Sequence, residues 1–283
     1  MQAGLGVPGK RWQWYSLGMK TSMKILQIAN ILSFLAVLIV NTLASTIGIN
    51  GRLTGALSDG IPNLFVPAGL TFSIWGLIYL LLLLFTIAQA HGLFSAGQNS
   101  PQETRRIGWL FALSCVANVA WLLLWHYELV GVSVLAMLVI LGSLLAIYVR
   151  LQIGRTWANW AKRWLFRVPF SVYLGWITVA TIANVTAFLV KAGWNGFGLR
   201  PEVWAVAVII VAALLTVAIL ATRRDAGYGL VVLWALVGIG IKRSADSSAA
   251  SHVVFLAAIV CGAVIAATII ASAVRSALRP LKA

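Results

Sequence analysis

Aromatic side chains recur at helical spacing in an apolar segment that begins after Pro67. This segment carries Phe72, Trp75 and Tyr79. Their i, i+3, i+7 spacing predicts three rings on one face of a membrane helix. The indole N–H and the phenol O–H each need a hydrogen-bond partner inside a bilayer. Such a face could stack against a flat ring.

Two later apolar segments repeat this combination of rings and amides. The residues are Asn118, Trp121 and Trp125 in one segment, and Tyr173, Trp176 and Asn184 in the other. Three such faces in one bundle could line a pocket for a flat, hydrophobic ligand. The same pattern also arises from packing alone. An amide in a membrane helix can bond to a neighbouring helix, a contact typically worth about 0.6 kcal/mol, instead of contacting a ligand.

The composition identifies an integral membrane protein. Of 283 residues, 61% are hydrophobic and 10% are charged, and the mean hydropathy is +0.96. No soluble domain has this balance. The net charge of +15 does not indicate nucleic-acid binding, because the basic residues stand singly or in pairs between apolar spans. We expect these residues to orient the helices and to contact membrane lipids, including anionic headgroups.

Eight apolar spans follow one another along the chain. Their ranges are 25–46, 68–90, 107–125, 129–149, 168–190, 203–221, 226–241 and 253–274. Because about 20 residues cross the hydrocarbon core, the short seventh span is the least certain to cross fully. Trp125, Trp157, Trp160 and Trp164 lie at span ends, which is typical of the interfacial aromatic belt.

The basic residues predict an orientation for these spans. If the N-terminus is cytoplasmic, 16 of the 21 Lys and Arg residues lie in cytoplasmic segments and 5 lie outside. This asymmetry predicts a multi-pass protein of the cell membrane with both termini in the cytoplasm. The longest outside connection, residues 47–67, could cap an outward-opening pocket or be a plain surface loop.

Several kinds of chemistry lack their residues in this chain. No Asp, Glu, Lys or Arg stands at the centre of a span, whereas ion-coupled carriers and proton pumps usually need such groups. The spans hold no Ser/His/Asp set, carboxylate pair or metal-ligand cluster. The sequence therefore indicates no enzyme, no metal site and no required cofactor.

Three motifs in order resemble the TspO/MBR family of tryptophan-rich sensory proteins, relatives of the mitochondrial translocator protein (the peripheral benzodiazepine receptor). The matching residues are Pro67, Phe72, Trp75 and Tyr79, then Asn118 and Trp121, then Pro169, Trp176, Ala180, Thr181 and Asn184. They are similar to the family's P-x(4)-F-x-x-W-x-x-x-Y, N-x-x-W and P-x(6)-W-x(3)-A-T-x-x-N. The resemblance covers about residues 25–191 and leaves out the last three spans.

The resemblance implies an all-α membrane protein with a TspO-like five-helix bundle and about three additional C-terminal helices. The division is a basic, aromatic cytoplasmic segment (1–24), the five-helix unit (25–191) and a three-helix segment (192–283). In agreement, 12 of the 13 tryptophans lie at or before Trp204.

The family resemblance also implies a function and a set of site residues. It predicts a receptor or sensor that binds a porphyrin, haem-like or other tetrapyrrole ligand, and it leaves a homodimer open. The implied ligand-binding residues are Phe72, Trp75, Tyr79, Asn118, Trp121, Tyr173, Trp176, Ala180 and Asn184.

Three alternatives stay open. The chain could be a transporter in which the added helices form a second gate, and ligand flux in liposomes would reveal it. Porphyrin degradation, suggested by resemblance alone, would change the spectrum of the bound ligand. A structural protein without a ligand would have a side-chain-filled centre among the second, third and fifth helices.

Overall fold

The chain forms a bundle of antiparallel helices. The structure, a computed structural model, describes residues 9–94 and 101–277, with side chains given for residues 22–91, 93 and 101–275. Within these ranges it contains helices and loops, and no β-strand. The eight long helices are α1 (Gly9–Thr46), α2 (Ile74–Phe94), α3 (Leu110–His126), α4 (Val130–Arg150), α5 (Val168–Lys191), α6 (Pro201–Arg223), α7 (Ala226–Ser244) and α8 (Ala249–Ala277).

Seven of the eight predicted spans are confirmed as helices long and apolar enough to cross a membrane. The seventh, α7, is one of these and has 19 residues. The remaining span, α3, is shorter. Its 17 residues extend about 26 Å. A turn precedes it, where Gly108 takes a φ of +57° after the short helix Gln102–Ile107. The predicted span 107–125 therefore begins three residues too early.

The first five helices close into a ring. Helix α1 packs against α2 and α3, α4 packs against α3 and α5, and α2 completes the ring by packing against α5. The connection 47–67 lies at one end of this ring, which we call the loop end, and contains the short helix Thr54–Asp59. The opposite end holds the connection between α4 and α5. Each antiparallel helix thus brings one terminus to the loop end.

Of the three C-terminal helices, α7 makes the main contact with this ring. It packs against α5 and against the 3₁₀ turn Gly69–Ser73, while α6 and α8 pack against α7 and each other. Glycines allow the approach, since a Cβ at Gly238 would overlap the side chain of Thr71. The Ala68 N–H donates to the Gly238 carbonyl at 2.9 Å, and Trp234 Nε1 donates to the Thr71 carbonyl at 3.0 Å. The segments on either side of the predicted division after residue 191 are therefore in close contact. The division itself stays a prediction.

The polar start of α7 also bonds to the ring, at the end opposite the loop end. Asp225 caps α7 by accepting from the backbone N–H of Tyr228 at 3.3 Å. Its carboxylate accepts the hydroxyls of Tyr148 and Ser171 at 2.8 and 2.6 Å. The carboxylate thus ties α7 to α4 and α5.

Candidate functional site

Trp75 stands at the centre of an aromatic cluster among α2, α3 and α5. Its ring stacks on those of Tyr79 and Trp121, with centroid distances of 5.5 and 6.4 Å. It also meets Tyr173 and Trp176 edge to face at 6.0 and 6.1 Å. These distances are those of favourable aromatic pairs. The predicted aromatic faces of the three segments therefore converge in the structure.

A small cavity lies beside this cluster at the loop end. Its volume is about 60 Å³. Six of the nine predicted site residues line it, namely Phe72, Trp75, Trp121, Trp176, Ala180 and Asn184. The remaining wall is formed by Thr54, Ser58, Val66, Pro67, Trp125, Val179, Ala183 and Ala187. We call this space the aromatic cavity.

The other three predicted residues, Tyr79, Asn118 and Tyr173, lie one helical turn farther from the loop end. Asn118 Nδ2 donates to the Tyr173 hydroxyl at 3.2 Å, and Asn118 Oδ1 accepts from Asn41 Nδ2 at 3.0 Å. The Asn118 amide thus connects α1, α3 and α5. These contacts correspond to the interhelical role that the sequence left open for Asn118.

Asn184 combines an interhelical contact with a place in the wall of the aromatic cavity. Its Oδ1 accepts Trp121 Nε1 at 2.7 Å, and its Nδ2 donates to Ser133 Oγ at 3.0 Å. These bonds fix the Trp121 ring at the edge of the cavity. A ligand would therefore meet an oriented indole face rather than a free amide.

Two buried donors in the cluster have no hydrogen-bond partner among the described residues. They are Trp176 Nε1 and the Tyr79 hydroxyl. Trp176 is 3% exposed and lines the aromatic cavity. An unpaired donor in a low-dielectric interior costs about 1–3 kcal/mol. Trp176 thus gives the cavity wall a ring whose indole N–H has no partner in the described arrangement.

Trp125 belongs to this site, and its assignment to the interfacial belt is wrong. It is 7% exposed and stacks on Trp121 at 6.2 Å. The sequence already indicated this position, because Trp125 follows Trp121 by four residues and that spacing puts both rings on one face of α3. Trp157 and Trp160, by contrast, are 87% and 74% exposed, as a belt position requires.

Small side chains on α5 form part of the wall of the aromatic cavity. Ala180, Ala183 and Ala187 follow an i, i+3, i+7 pattern and all line the aromatic cavity. Only Ala180 was among the predicted site residues. Because alanine ends at Cβ, this face leaves the space that a larger side chain would fill.

Polar contacts attach the connection 47–67 over the aromatic cavity. Arg52 pairs with Glu128 at 2.9 Å, and Glu128 also pairs with Lys191 at 2.6 Å. The Thr54 hydroxyl lies 3.3 Å from Nε2 of the buried His126. The hydrogen bond from Lys191, followed by the charges of Lys191 and Arg52, lowers the pKa of Glu128 below its ordinary 4.5. The ion pairs at Glu128 are therefore intact at neutral pH.

The long apolar helices and the buried aromatic cluster define a multi-pass membrane protein with a small, ring-lined site. The chain matches the family described as TSPO-like protein over residues 27–271, and it belongs to that family. The resemblance to TspO/MBR proteins is thus confirmed. The match continues past Lys191, where the motif resemblance ended, through α6, α7 and most of α8. Searches of curated proteins and of solved structures found no match.

Proposed function

We propose that this protein is a membrane receptor that binds a flat, hydrophobic ligand, such as a porphyrin, at the aromatic cavity. The observation that carries the proposal is that Trp176, whose indole N–H has no partner, lines a cavity together with Trp75, Trp121 and Trp125. Membership of the TSPO-like family supports a binding or sensing role. The predicted orientation places the loop end outside the cytoplasm.

The size of the aromatic cavity requires it to open before a ligand binds. Its 60 Å³ is far below the roughly 300–1,000 Å³ typical of small-molecule sites. Thr54 and Ser58 of the short helix form part of its wall. Displacement of the connection 47–67 would remove this part of the wall and enlarge the cavity. The described arrangement is then the closed state of the site.

Porphyrin titration of tryptophan variants tests the proposed site. Replacing Trp75 or Trp176 with leucine should weaken protoporphyrin binding by about 1–2 kcal/mol, because an aromatic pair and its buried area are lost. Quenching of tryptophan fluorescence in detergent measures the affinity.

Trp157→Leu is the matched control for this titration, since Trp157 is 87% exposed and lies far along the chain from the cavity. The control is expected to bind like the wild type. Equal affinity in all variants, with folding intact, would mean that the porphyrin partitions into the micelle or binds elsewhere.

Glu128 should control how fast the site opens. Glu128→Gln removes the charge that pairs with Arg52 and Lys191, so porphyrin association should be several times faster in stopped-flow quenching. Protonation has the same effect in the wild type. Because the pKa is lowered in the folded chain, the ion pairs are present above the ordinary value of 4.5 and are lost as the pH falls through the folded value.

The association rate of Glu128→Gln should consequently lack the acid-dependent increase that we expect of the wild type. If the two proteins respond identically to pH, Glu128 does not hold the connection 47–67 closed.

One observation favours a second function, that of a structural protein without a ligand. The rings fill most of the centre, and the amides of Asn118 and Asn184 are already bonded. A structural protein would show no saturable porphyrin binding in the titration above. The unpartnered Trp176 Nε1 is the feature that this second function leaves unexplained.

A further inference from the structure

A second and much larger cavity lies at the loop end, between the five-helix ring and the three C-terminal helices. Its volume is about 770 Å³, within the range of small-molecule sites. It shares no lining residue with the aromatic cavity. Its walls come from residues 59–65, the end of α5, the connection 192–200, and the adjoining ends of α6, α7 and α8. We call this space the junction cavity.

The polar wall of the junction cavity contains an incompletely satisfied buried arginine. Arg243 is 8% exposed, and its Nε has no hydrogen-bond partner among the described residues. Its Nη1 donates to Ser251 Oγ at 3.2 Å and stands 3.9 Å from the Asp246 carboxylate. That carboxylate oxygen itself accepts Ser251 Oγ at 2.6 Å. The Arg243 charge is therefore only weakly compensated, which is costly for a buried cation.

The other charged groups of the wall are already paired. Lys242 bonds to Asp59, and Glu202 pairs with Arg200 at 3.2 Å. Neither carboxylate in the wall is thus left to neutralise Arg243. The guanidinium fork matches the two oxygens of a carboxylate or phosphate, and such charge-assisted bonds are the stronger kind. An oxyanion at this wall would pair with the weakly compensated Arg243 guanidinium.

The opposite wall is apolar and aromatic. Trp194 and Trp204 pack together with ring centroids 4.9 Å apart, and the Trp204 indole N–H is already used by the Gly196 carbonyl at 2.9 Å. The Trp204 ring therefore presents an apolar face rather than a free donor. Leu189 and Val190 of α5 extend this surface along the cavity. A ligand that contacts both walls of the junction cavity needs an anionic head and an apolar body.

We propose that the junction cavity binds an amphipathic oxyanion, whose carboxylate or phosphate head pairs with Arg243 and whose apolar chain lies along Trp194, Trp204 and the end of α5. Two sources have this chemistry, a free fatty acid and an anionic phospholipid of the bilayer. The proposal is independent of the aromatic cavity and its ligand.

Oleate binding to the full chain in neutral-lipid nanodiscs tests the fatty-acid source. Native mass spectrometry of nanodiscs that contain phosphatidic acid tests the bilayer source. Saturable binding in either experiment supports the proposal and identifies the source, and its absence from both overturns it. Inorganic phosphate that competes at the affinity of oleate would also overturn it, because the apolar chain would then contribute nothing.

Two variants assign the binding to this cavity. Arg243→Gln should weaken it by about tenfold or more, since a bond to a charged group is lost. Ala250→Trp should have a similar effect by filling the cavity without removing a charge, and it decides the question if Arg243→Gln fails to fold. Arg52→Gln, at a 58% exposed arginine of the same end that does not line the junction cavity, is the matched control.

Unchanged binding in both Arg243→Gln and Ala250→Trp would overturn the assignment. Leucine at Ala180, in the aromatic cavity, should leave oleate or phosphatidic acid binding as it is. Failure of the porphyrin proposal and failure of this one are therefore separable.

Discussion

Leucine in place of Ala180 is expected to eliminate most porphyrin binding while the protein stays folded. Ala180 lies in the wall of the aromatic cavity, which it shares with rings that include Trp75 and Trp176. The added carbons would occupy most of the 60 Å³ in the closed state and overlap a ligand in the open one. Overpacking of this kind costs about 1–3 kcal/mol, here in the bound state, so affinity should fall by roughly five- to 150-fold. Fluorescence titration with protoporphyrin measures the change.

The matched control for this substitution is Ala263→Leu. Ala263 is an exposed position of α8, so the larger side chain adds apolar surface without entering a cavity. Its porphyrin affinity should equal that of the wild type. If Ala180→Leu also binds normally and its melting temperature is unchanged, the ligand does not enter the aromatic cavity.

Alanine in place of Asp225 should cause a large loss of stability. The carboxylate is 8% exposed and accepts the Tyr148 hydroxyl, the Ser171 hydroxyl and the Tyr228 N–H. Without it, two buried hydroxyls lose their acceptor, at about 1–3 kcal/mol each, and α7 loses its N-cap. We expect about 3 kcal/mol or more of destabilisation in thermal unfolding in detergent.

Asp225→Asn tests whether the hydrogen bonds of this side chain, rather than its size, stabilise the protein. The amide keeps one oxygen acceptor, and a hydroxyl can rotate to accept from its NH₂ group. Its destabilisation should be clearly smaller than that of Asp225→Ala. Equal and small effects of the two substitutions would show that α7 is held by glycine packing alone, without help from this capping network.

Hydropathy alone predicted the membrane spans, because crossing a bilayer constrains length and polarity before any tertiary contact forms. The start of α3 was misplaced, since it depends on the positive φ of Gly108 rather than on hydropathy. Trp125 was misassigned for a related reason. A tryptophan at a span end can face lipid or the bundle, and only the packing of α3 against its neighbours decides which.

Helical periodicity correctly predicted that Trp75, Trp121 and Trp176 lie on faces that converge. It could not predict the space between their rings. Cavity volume depends on ring orientation, which is set by contacts such as the bond from Trp121 to Asn184. The junction cavity was also beyond sequence reasoning. In the sequence, Arg243 was one of the five basic residues counted outside the cytoplasm, and its burial beside Ser251 of α8 is a tertiary feature.

The most direct test of the proposed function is to find where a bound porphyrin lies. A protoporphyrin derivative carrying a photoreactive diazirine would be bound in nanodiscs, irradiated and located by peptide mass spectrometry. We expect labelling of Thr54–Asp59 and of the α5 segment 180–187, prevented by excess protoporphyrin and strongly reduced by Ala180→Leu. Labelling spread over lipid-facing positions of the helices, and unchanged in Ala180→Leu, would contradict the aromatic cavity as the binding site.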